Sequence, residues 1–278
     1  AYRAMKYDSA FLYIETAVNY YRTQRMTDSL VLAYIQKADM VWSQKSTPLA
    51  LAVIDSAIIT AKQLPFKNPL HVAALNKKGQ IVVHNKEPEK GKKYLLRALG
   101  HVDKSAAPNG IYSALYTNLS WFFLELQDFT PAMAYAEEAK KINENLYGKD
   151  ARQLLGVYQS LMLIAHDAGW YKQAELYGLE FYRLANLNLS ANHPNKGLMH
   201  NDLGILYESM YRLDEALFHK QQMVRIIQQD YAKHKNPQLL AIAYNNMASF
   251  YQTIGELQLS LEYYDKAKQL HEINYGAE

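Results

Sequence analysis

A pattern of apolar and small residues recurs every 41 to 44 residues along this chain, and that period constrains the fold more than any single residue. The clearest copy contains Tyr244, Met247, Ala248 and Tyr251, followed by Ser260. Offsets of 44, 42 and 42 residues lead to three earlier copies, and two fainter copies precede those. Such a sequence predicts one structural unit per copy, each packed against its neighbours.

Each copy has the spacing of two amphipathic helices. Its apolar residues stand three and four apart in two stretches, and a short polar turn separates the stretches. Thr47-Pro48 and Thr130-Pro131 suggest a capping hydroxyl before a proline at the start of a helix. We therefore predict an all-α fold of antiparallel helix pairs. Small residues at fixed places would let the helices approach closely, namely Ser120, Gly204 and Ala248 on the first helix and Ala132, Ala174 and Ala216 on the second.

The copies resemble the tetratricopeptide repeat, whose first helix carries a bulky residue, a Leu-Gly or Leu-Ala pair and a Tyr. Leu203-Gly204 with Tyr207 shows this pattern. The longer period, and phrases such as Tyr147-Gly148-Lys149-Asp150, are similar to the repeats of kinesin light chains and of bacterial multidomain proteins. The resemblance implies a right-handed α-solenoid, the tetratricopeptide-repeat superhelix, and it permits many functions.

The repeat register divides residues 1–278 of a single solenoid into a half repeat and six full repeats. The half repeat is 1–26, and the full repeats are 29–66, 70–106, 111–146, 152–190, 195–232 and 238–275. We expect the last helix, Leu259 to Ile273, to keep an apolar face that another repeat would cover. This pattern favours a fragment of a longer chain, and the alternative is a natural end that is capped by dimerisation.

Composition excludes several classes of site. The chain has no cysteine, so disulfides, thiol catalysis and thiolate metal sites are excluded, while the compartment stays open between cytoplasm and periplasm. No run of eighteen apolar residues predicts a membrane span. No histidine pair has the spacing of a metal site on one helix face, and the Gly91-Lys92 segment lacks the remaining residues of a phosphate-binding loop. We therefore predict no metal, no cofactor and no enzyme.

Two histidine positions invite a chemical interpretation. His166-Asp167 suggests a general base, but sequence neighbours point to different sides of a helix, so we expect an exposed helix end. His200 occupies the bulky position of its first helix, which predicts a packed structural histidine.

Charge is uneven along the chain. Residues 67–104 contain nine basic and three acidic side chains, whereas residues 241–278 contain two basic and five acidic ones. Such a polarity could steer an acidic partner or favour self-association of open solenoid ends. Alternatively, the lysines only solvate exposed helix faces. Nucleic acid is not predicted, because no aromatic residues alternate with the lysines.

Polar positions on the first helices give the main functional clue, because in the family they line the concave groove. Amide side chains carry both donors and acceptors and can bind the backbone of an extended peptide. Lys77 and Asn118 match only part of the carboxylate-binding arrangement of some family members, and Asp202 would repel a carboxylate. The alternative is that the asparagines bridge neighbouring helices. The candidate partner-binding residues are Asn76, Lys77, Asn118, Trp121, Gln159, Asn201, Asp202, Asn245, Asn246 and Ser249.

Three functions follow from this sequence. The first is a non-enzymatic scaffold that binds a protein or peptide segment in the groove. The second is the sensory or regulatory region of a larger protein with a protease, kinase or DNA-binding domain. The third is an enzyme acting through Gln159 or Asp202, which would lose turnover when either residue is changed.

Overall fold

A computed structural model describes residues 2–44, 46–234 and 237–275 of the chain. Within these ranges it contains thirteen α-helices, one 3₁₀ turn and no β-strand, which confirms the predicted all-α fold. In chain order the helices are α1 (Tyr2–Thr23), α2 (Thr27–Ser43), α3 (Thr47–Ala61), α4 (Pro69–His84), α5 (Pro88–Gly100), α6 (Gly110–Glu125), α7 (Phe129–Tyr147), α8 (Leu155–Asp167), α9 (Tyr171–Asn188), α10 (Pro194–Ser209), α11 (Leu213–His234), α12 (Pro237–Thr253) and α13 (Leu257–Tyr275).

From α2 onward the described helices follow one another as hairpins. We call the two members of each hairpin the first and the second helix. Three-residue turns join α4 to α5, α6 to α7, α8 to α9, α10 to α11 and α12 to α13. The 3₁₀ turn Arg152–Leu154 precedes α8.

The middle residue of each of these turns has a positive φ, between 57° and 84°. In the α10–α11 turn, Tyr211 has a φ of 57°, and the amide of Arg212 donates to the carbonyl of Tyr207 at 2.9 Å. This bond closes the last turn of the first helix and reverses the chain. The equivalent residues are Lys86, Gln127, Gly169 and Gly255.

Small residues lie where the two helices of a hairpin cross, as predicted. Ser120, Ala132, Ala174, Ala216 and Ala248 are fully buried. A Cβ added at Gly91 would lie 2.3 Å from Cγ2 of Val83 and 3.0 Å from two backbone atoms, so only glycine fits that crossing.

The chain divides into two compact units, Ala1–Leu146 and Tyr147–Glu278, which we call unit 1 and unit 2. One cluster in unit 1 is built around Val31, Ile54 and Ile81. One cluster in unit 2 is built around Ile227, Leu240 and Met247. The continuity of all repeats in a single solenoid stays a prediction.

The predicted threonine caps are wrong. Thr47 is the first residue of α3, and Ser46 before it makes no capping side-chain hydrogen bond. Thr130 is the second residue of α7, which begins at Phe129. Side-chain caps are found instead on first helices, where Asn68 accepts from the amide of Leu70 and Asn109 from the amide of Ile111.

The last predicted helix is present as α13. Ala267 and Leu270 are buried, whereas Leu261 is 60% exposed and Tyr264 is 38% exposed. The side chain of Ile273 lies outside the described residues. Among the helices that the structure describes, none combines the length and the apolar character needed to cross a bilayer.

Candidate functional site

The first helices of unit 1 carry a line of hydrogen-bonded amides. Nδ2 of Asn118 on α6 donates to Oδ1 of Asn76 on α4 at 2.8 Å. Nε2 of Gln80, one turn further along α4, donates to Oδ1 of Asn118, also at 2.8 Å. We call these three side chains the unit 1 amide line. It bridges neighbouring first helices, as the alternative interpretation of the asparagines predicts.

Two cavities flank the unit 1 amide line. One, of about 290 Å³, is bordered by Val83, His84 and Trp121, and Gln80 and Asn118 also border it. The other, of about 340 Å³, is bordered by Ile35, Ala73, Ile111, Ala114 and Thr117, together with the amide line and Lys77. Polar hydrogen-bonding groups therefore lie between two partly apolar hollows on the same surface.

Two further predicted residues of unit 1 have distinct roles at this surface. Trp121 is 36% exposed and forms part of a cavity wall. The ammonium of Lys77 is already engaged, because it lies 2.7 Å from a carboxylate oxygen of Asp39 and 5.8 Å from the centroid of the Trp42 ring. A ligand carboxylate would have to compete with Asp39 for this lysine.

Unit 2 has a corresponding line that includes a carboxylate. Nε2 of Gln159 on α8 donates to Oδ2 of Asp202 on α10 at 2.7 Å. Nδ2 of Asn246 on α12 donates to Oδ1 of Asn201 at 2.8 Å, and Nδ2 of Asn201 lies 3.4 Å from Oδ1 of Asp202. These four side chains, which we call the unit 2 polar line, join three successive first helices.

A buried lysine lies beside the unit 2 polar line. Lys220 is only 3% exposed, and its Nζ lies 3.6 Å from a carboxylate oxygen of Glu208. Burial lowers the pKa of Lys220, and attraction to Glu208 and Asp202 opposes this shift. Burial raises the pKa of Asp202, while hydrogen bonds from Gln159 and Asn201 and the charge of Lys220 lower it. The surface of unit 2 thus contains charge that the unit 1 amide line lacks.

The two remaining candidates lie on α12 but outside the polar line. Asn245 is partly buried beside Asn246, and Ser249 is exposed one turn later. The carbonyl of Ser249 accepts a hydrogen bond from Oγ1 of Thr253 at 3.1 Å.

His200 is a packed histidine with a close histidine partner. It is 7% exposed, and its Nδ1 lies 2.8 Å from Nδ1 of His219 on α11. The rings of Tyr182, Tyr207 and Phe218 surround the pair. Burial lowers the pKa of each histidine to about 4, and the neighbouring His219 also lowers that of His200. Sequence reasoning missed His219.

The sequence predicts that His166 and Asp167 point to different sides of their helix, and this prediction is wrong. Oδ1 of Asp167 lies 2.8 Å from Nδ1 of His166, and Oγ of Ser209 lies 2.9 Å from Nε2. This order of carboxylate, imidazole and hydroxyl resembles the triad of serine hydrolases. However, Ser209 ends α10, where the helix dipole is negative and the amides of Met210, Tyr211 and Arg212 donate to helix carbonyls. If Ser209 attacked an acyl group, the oxyanion formed on that group would therefore lack these backbone amides as donors, which acyl transfer requires.

In the part of the chain that the structure describes, no group of three or more His, Asp or Glu side chains could hold a metal ion.

A family model for the tetratricopeptide repeat matches residues 113–150 and 240–278. The matched segments cover most of the α6–α7 and α12–α13 hairpins, one in each unit. Comparison with curated protein sequences finds no match.

Several solved structures share the fold at low sequence identity. BtubC (BKLC) from P. vanneervenii is 17% identical with a TM-score of 0.71, over 84% of this chain and 94% of that one. The apo form of RapI is 14% identical with a TM-score of 0.63, over 95% and 98% of the two chains. A signal transduction ATPase from Pyrococcus horikoshii with a tetratricopeptide repeat sensor is 17% identical with a TM-score of 0.59, over 88% of this chain and 38% of that one.

These matches agree with the hairpin geometry, the buried small residues and the repeat period. Two hairpins of the chain therefore match the tetratricopeptide repeat, and the fold is an all-α repeat solenoid.

Proposed function

We propose that the chain is a non-enzymatic scaffold that binds an extended segment of a partner protein on the first helices of its repeats. The observation that carries this proposal is the unit 1 amide line, which lies between two cavities on one surface. The repeats of this family typically act as interaction scaffolds, and both units present polar lines on their first helices.

The amide line can bind a peptide backbone while it keeps its internal hydrogen bonds. An asparagine amide has two donor hydrogens and two acceptor lone pairs. Asn118 uses one hydrogen toward Asn76 and one lone pair toward Gln80. One donor and one acceptor on Asn118 stay available, in an orientation that the internal bonds already fix. This preorganisation lowers the entropy cost of binding.

The flanking cavities would take side chains of the bound segment. In an extended peptide, successive side chains point to opposite sides of the backbone. A backbone above the amide line would therefore direct alternate side chains toward the hollow beside Trp121 and the hollow beside Ala114. Apolar or aromatic side chains fit best, because Val83, Ile35 and Ile111 border these hollows.

A second candidate function is a sensory region within a larger protein. The Pyrococcus horikoshii ATPase favours it, because a fold like this one matches 38% of a chain that contains a tetratricopeptide repeat sensor. Binding at the first helices would then regulate a further domain. The two functions share the same binding surface and differ in what the bound segment controls.

The test selects binders from a displayed library of random twelve-residue peptides on the purified chain. Selected peptides are then titrated against Ala114→Trp, which fills the hollow beside the amide line. The matched control is Ala52→Trp, since Ala52 is also an exposed alanine of unit 1 but lies on the second helix α3. We expect Ala114→Trp to weaken binding at least tenfold and Ala52→Trp to leave it unchanged.

Circular dichroism of both variants checks that the helices persist. Selection of no peptide, or equal affinity for the two tryptophan variants, would overturn the groove assignment. Turnover of ester or phosphate substrates by the purified chain, lost in Gln159→Ala or Asp202→Asn, would overturn the non-enzymatic assignment.

A further inference from the structure

Outside the amide-line surface, unit 1 has a cavity of about 580 Å³ between α3, α4 and α5. Its volume falls in the range of roughly 300–1,000 Å³ that is typical of small-molecule sites. Its walls include Ile58 and Ala61 of α3, Ala74 and Leu75 of α4, and Leu64 of the connecting loop. These residues form an apolar interior, which we call the α3–α5 cavity.

The α3–α5 cavity is separate from the proposed peptide surface. On α4 it is bordered by His71, Ala74 and Leu75, whereas Ala73, Lys77 and the amide line border the other surface. At 100° per residue, these two sets lie on opposite sides of the helix. A ligand in this cavity therefore leaves the amide line accessible.

The polar groups at the α3–α5 cavity are basic. Lys62, Arg97, His71 and His101 border it, and no acidic side chain is found among the described residues that line it. The rings of His71 and His101 stack with centroids 4.6 Å apart, and Nδ1 of His101 lies 2.7 Å from the carbonyl of Phe66. Lys62 and Arg97 are exposed, so their charges lie at the mouth and not in the interior.

The lowered pKa of His101 agrees with a positively charged environment. Burial lowers the pKa of His101, and the charges of His71, Arg97 and Lys67 lower it further, against the hydrogen bond to Phe66. The α4 and α5 walls of this cavity belong to residues 67–104, where basic residues outnumber acidic ones by nine to three. An anion bound at the mouth would relieve this repulsion.

We propose that the α3–α5 cavity binds a medium-chain aliphatic carboxylate, with the alkyl chain in the apolar interior and the carboxylate at Arg97 and Lys62. Charge and shape select this ligand together. The aliphatic walls of the interior offer apolar contact to an alkyl chain, and the mouth offers an arginine that can donate two parallel hydrogen bonds to a carboxylate. An alcohol could not form the ion pair, and an ammonium would be repelled by Arg97 and Lys62.

The test is calorimetric titration of the full chain with octanoate, octan-1-ol and octylammonium. We expect octanoate to bind, octan-1-ol to bind at least tenfold more weakly and octylammonium not to bind. Removing the charge in Arg97→Gln should weaken octanoate about tenfold, because charge-assisted hydrogen bonds are among the stronger polar contacts. The matched control is Lys93→Gln, which removes an exposed charge from the same helix outside the cavity.

A second variant tests the position of the alkyl chain. A Cβ at Gly100, which borders the cavity, would have no atom within 4 Å, so Gly100→Phe can be accommodated at the backbone. We expect this variant to keep its circular dichroism spectrum and lose octanoate binding. The imidazole proton signals of His101 should shift with octanoate in the unchanged chain only.

Three results with these ligands and variants would overturn the proposal. They are equal binding of octanoate and octylammonium, equal effects of Arg97→Gln and Lys93→Gln, and unchanged binding by a folded Gly100→Phe variant. A peptide ending in Leu-Leu-carboxylate that binds where octanoate does not would also overturn it. That result would assign the cavity to a protein terminus instead of a small molecule.

Discussion

The α4–α5 hairpin of unit 1 and the α10–α11 hairpin of unit 2 use the same repeat position in different ways. In α4–α5, a Cβ at Gly79 would lie 2.7 Å from Cδ2 of Leu95. In α10–α11, a Cβ at Gly204 would lie 3.1 Å from Cε of Lys220. Leu95 and Lys220 are equivalent in the repeat register, so a lysine stem fills the volume that a leucine fills elsewhere.

This comparison shows that the repeat constrains volume more strongly than polarity. The methylene groups of Lys220 pack over Gly204, and its ammonium continues toward Glu208 and Asp202. The same register places Leu75 of α4 where α10 has His200. Unit 2 therefore holds titratable groups at positions that are apolar in unit 1, and the two units should respond differently to acid.

We expect acid to destabilise the α10–α11 hairpin more than the α4–α5 hairpin. The pKa of His200 and of His219 is about 4 in the folded chain, below the ordinary value of 6.5. Their contribution to stability is therefore present above pH 6.5 and is lost as the pH falls from 6.5 toward 4. The expected loss is roughly 3 kcal/mol, since one pKa unit corresponds to about 1.4 kcal/mol and the two sites are coupled.

Hydrogen exchange of the two hairpins at pH 7 and pH 5, corrected for intrinsic exchange rates, measures this difference. The matched variant combines His200→Leu, the residue type that unit 1 has at this position, with His219→Asn, a neutral polar replacement. It should remove most of the acid sensitivity of α10–α11. Unchanged sensitivity in the double variant would assign the effect to other groups.

The helix crossings of α4–α5 and α10–α11 should also differ in how well they tolerate an added methyl group. In Gly91→Ala the new Cβ would meet Val83 Cγ2 and two backbone atoms, none of which is the end of a flexible chain. We expect a loss of about 3 kcal/mol, despite the better helix propensity of alanine. In Gly204→Ala the Cβ meets only Lys220 methylenes at 3.1 and 3.2 Å, which can shift.

For Gly204→Ala we therefore expect a change of less than about 1 kcal/mol. Urea unfolding of the full chain, followed by circular dichroism, compares the two variants. A loss at Gly204 as large as that at Gly91 would show that Lys220 is held rigidly by its polar neighbours. That outcome would make the buried ammonium a fixed part of the unit 2 surface.

The repeat register was sufficient to predict the helix pairs and the small residues at the crossings. Ala132, Ala174 and Ala216 are buried because two backbones can approach only where side chains are small. The same register placed Asn76 with Asn118 on one surface, and Asn201 with Asn246 on another. Periodicity predicts such features because it reports which side of a helix a residue occupies.

Side-chain partners could not be predicted in the same way. The register gave no indication that Asp167 turns back to His166, or that Ser209 reaches the other ring nitrogen. Such contacts depend on rotamers at helix ends, where the periodicity stops. The α3–α5 cavity was also missed, because residues from three helices and a loop form it and no single motif contains them.

The smallest expected effect concerns one hydroxyl at the crossing of α6 with α7 and one at the crossing of α12 with α13. The first crossing pairs Ser120 with Ala132, and the second reverses the order with Ala248 and Ser260. Oγ of Ser260 donates to the carbonyl of Ala248 at 2.9 Å. Oγ of Ser120 is buried and has no hydrogen-bond partner among the described residues.

Alanine at the two serines should therefore have opposite effects. Ser260→Ala removes a buried hydrogen bond and should cost about 1 kcal/mol, whereas Ser120→Ala removes an unsatisfied hydroxyl and should stabilise the chain by up to about 1 kcal/mol. Urea unfolding midpoints of the two variants give the comparison directly, because the volume change is identical. Destabilisation by Ser120→Ala equal to that by Ser260→Ala would mean that Oγ of Ser120 has a bound water as its partner. The serine hydroxyls at both crossings would then have hydrogen-bond partners. The register would constrain polarity at this position as well as volume.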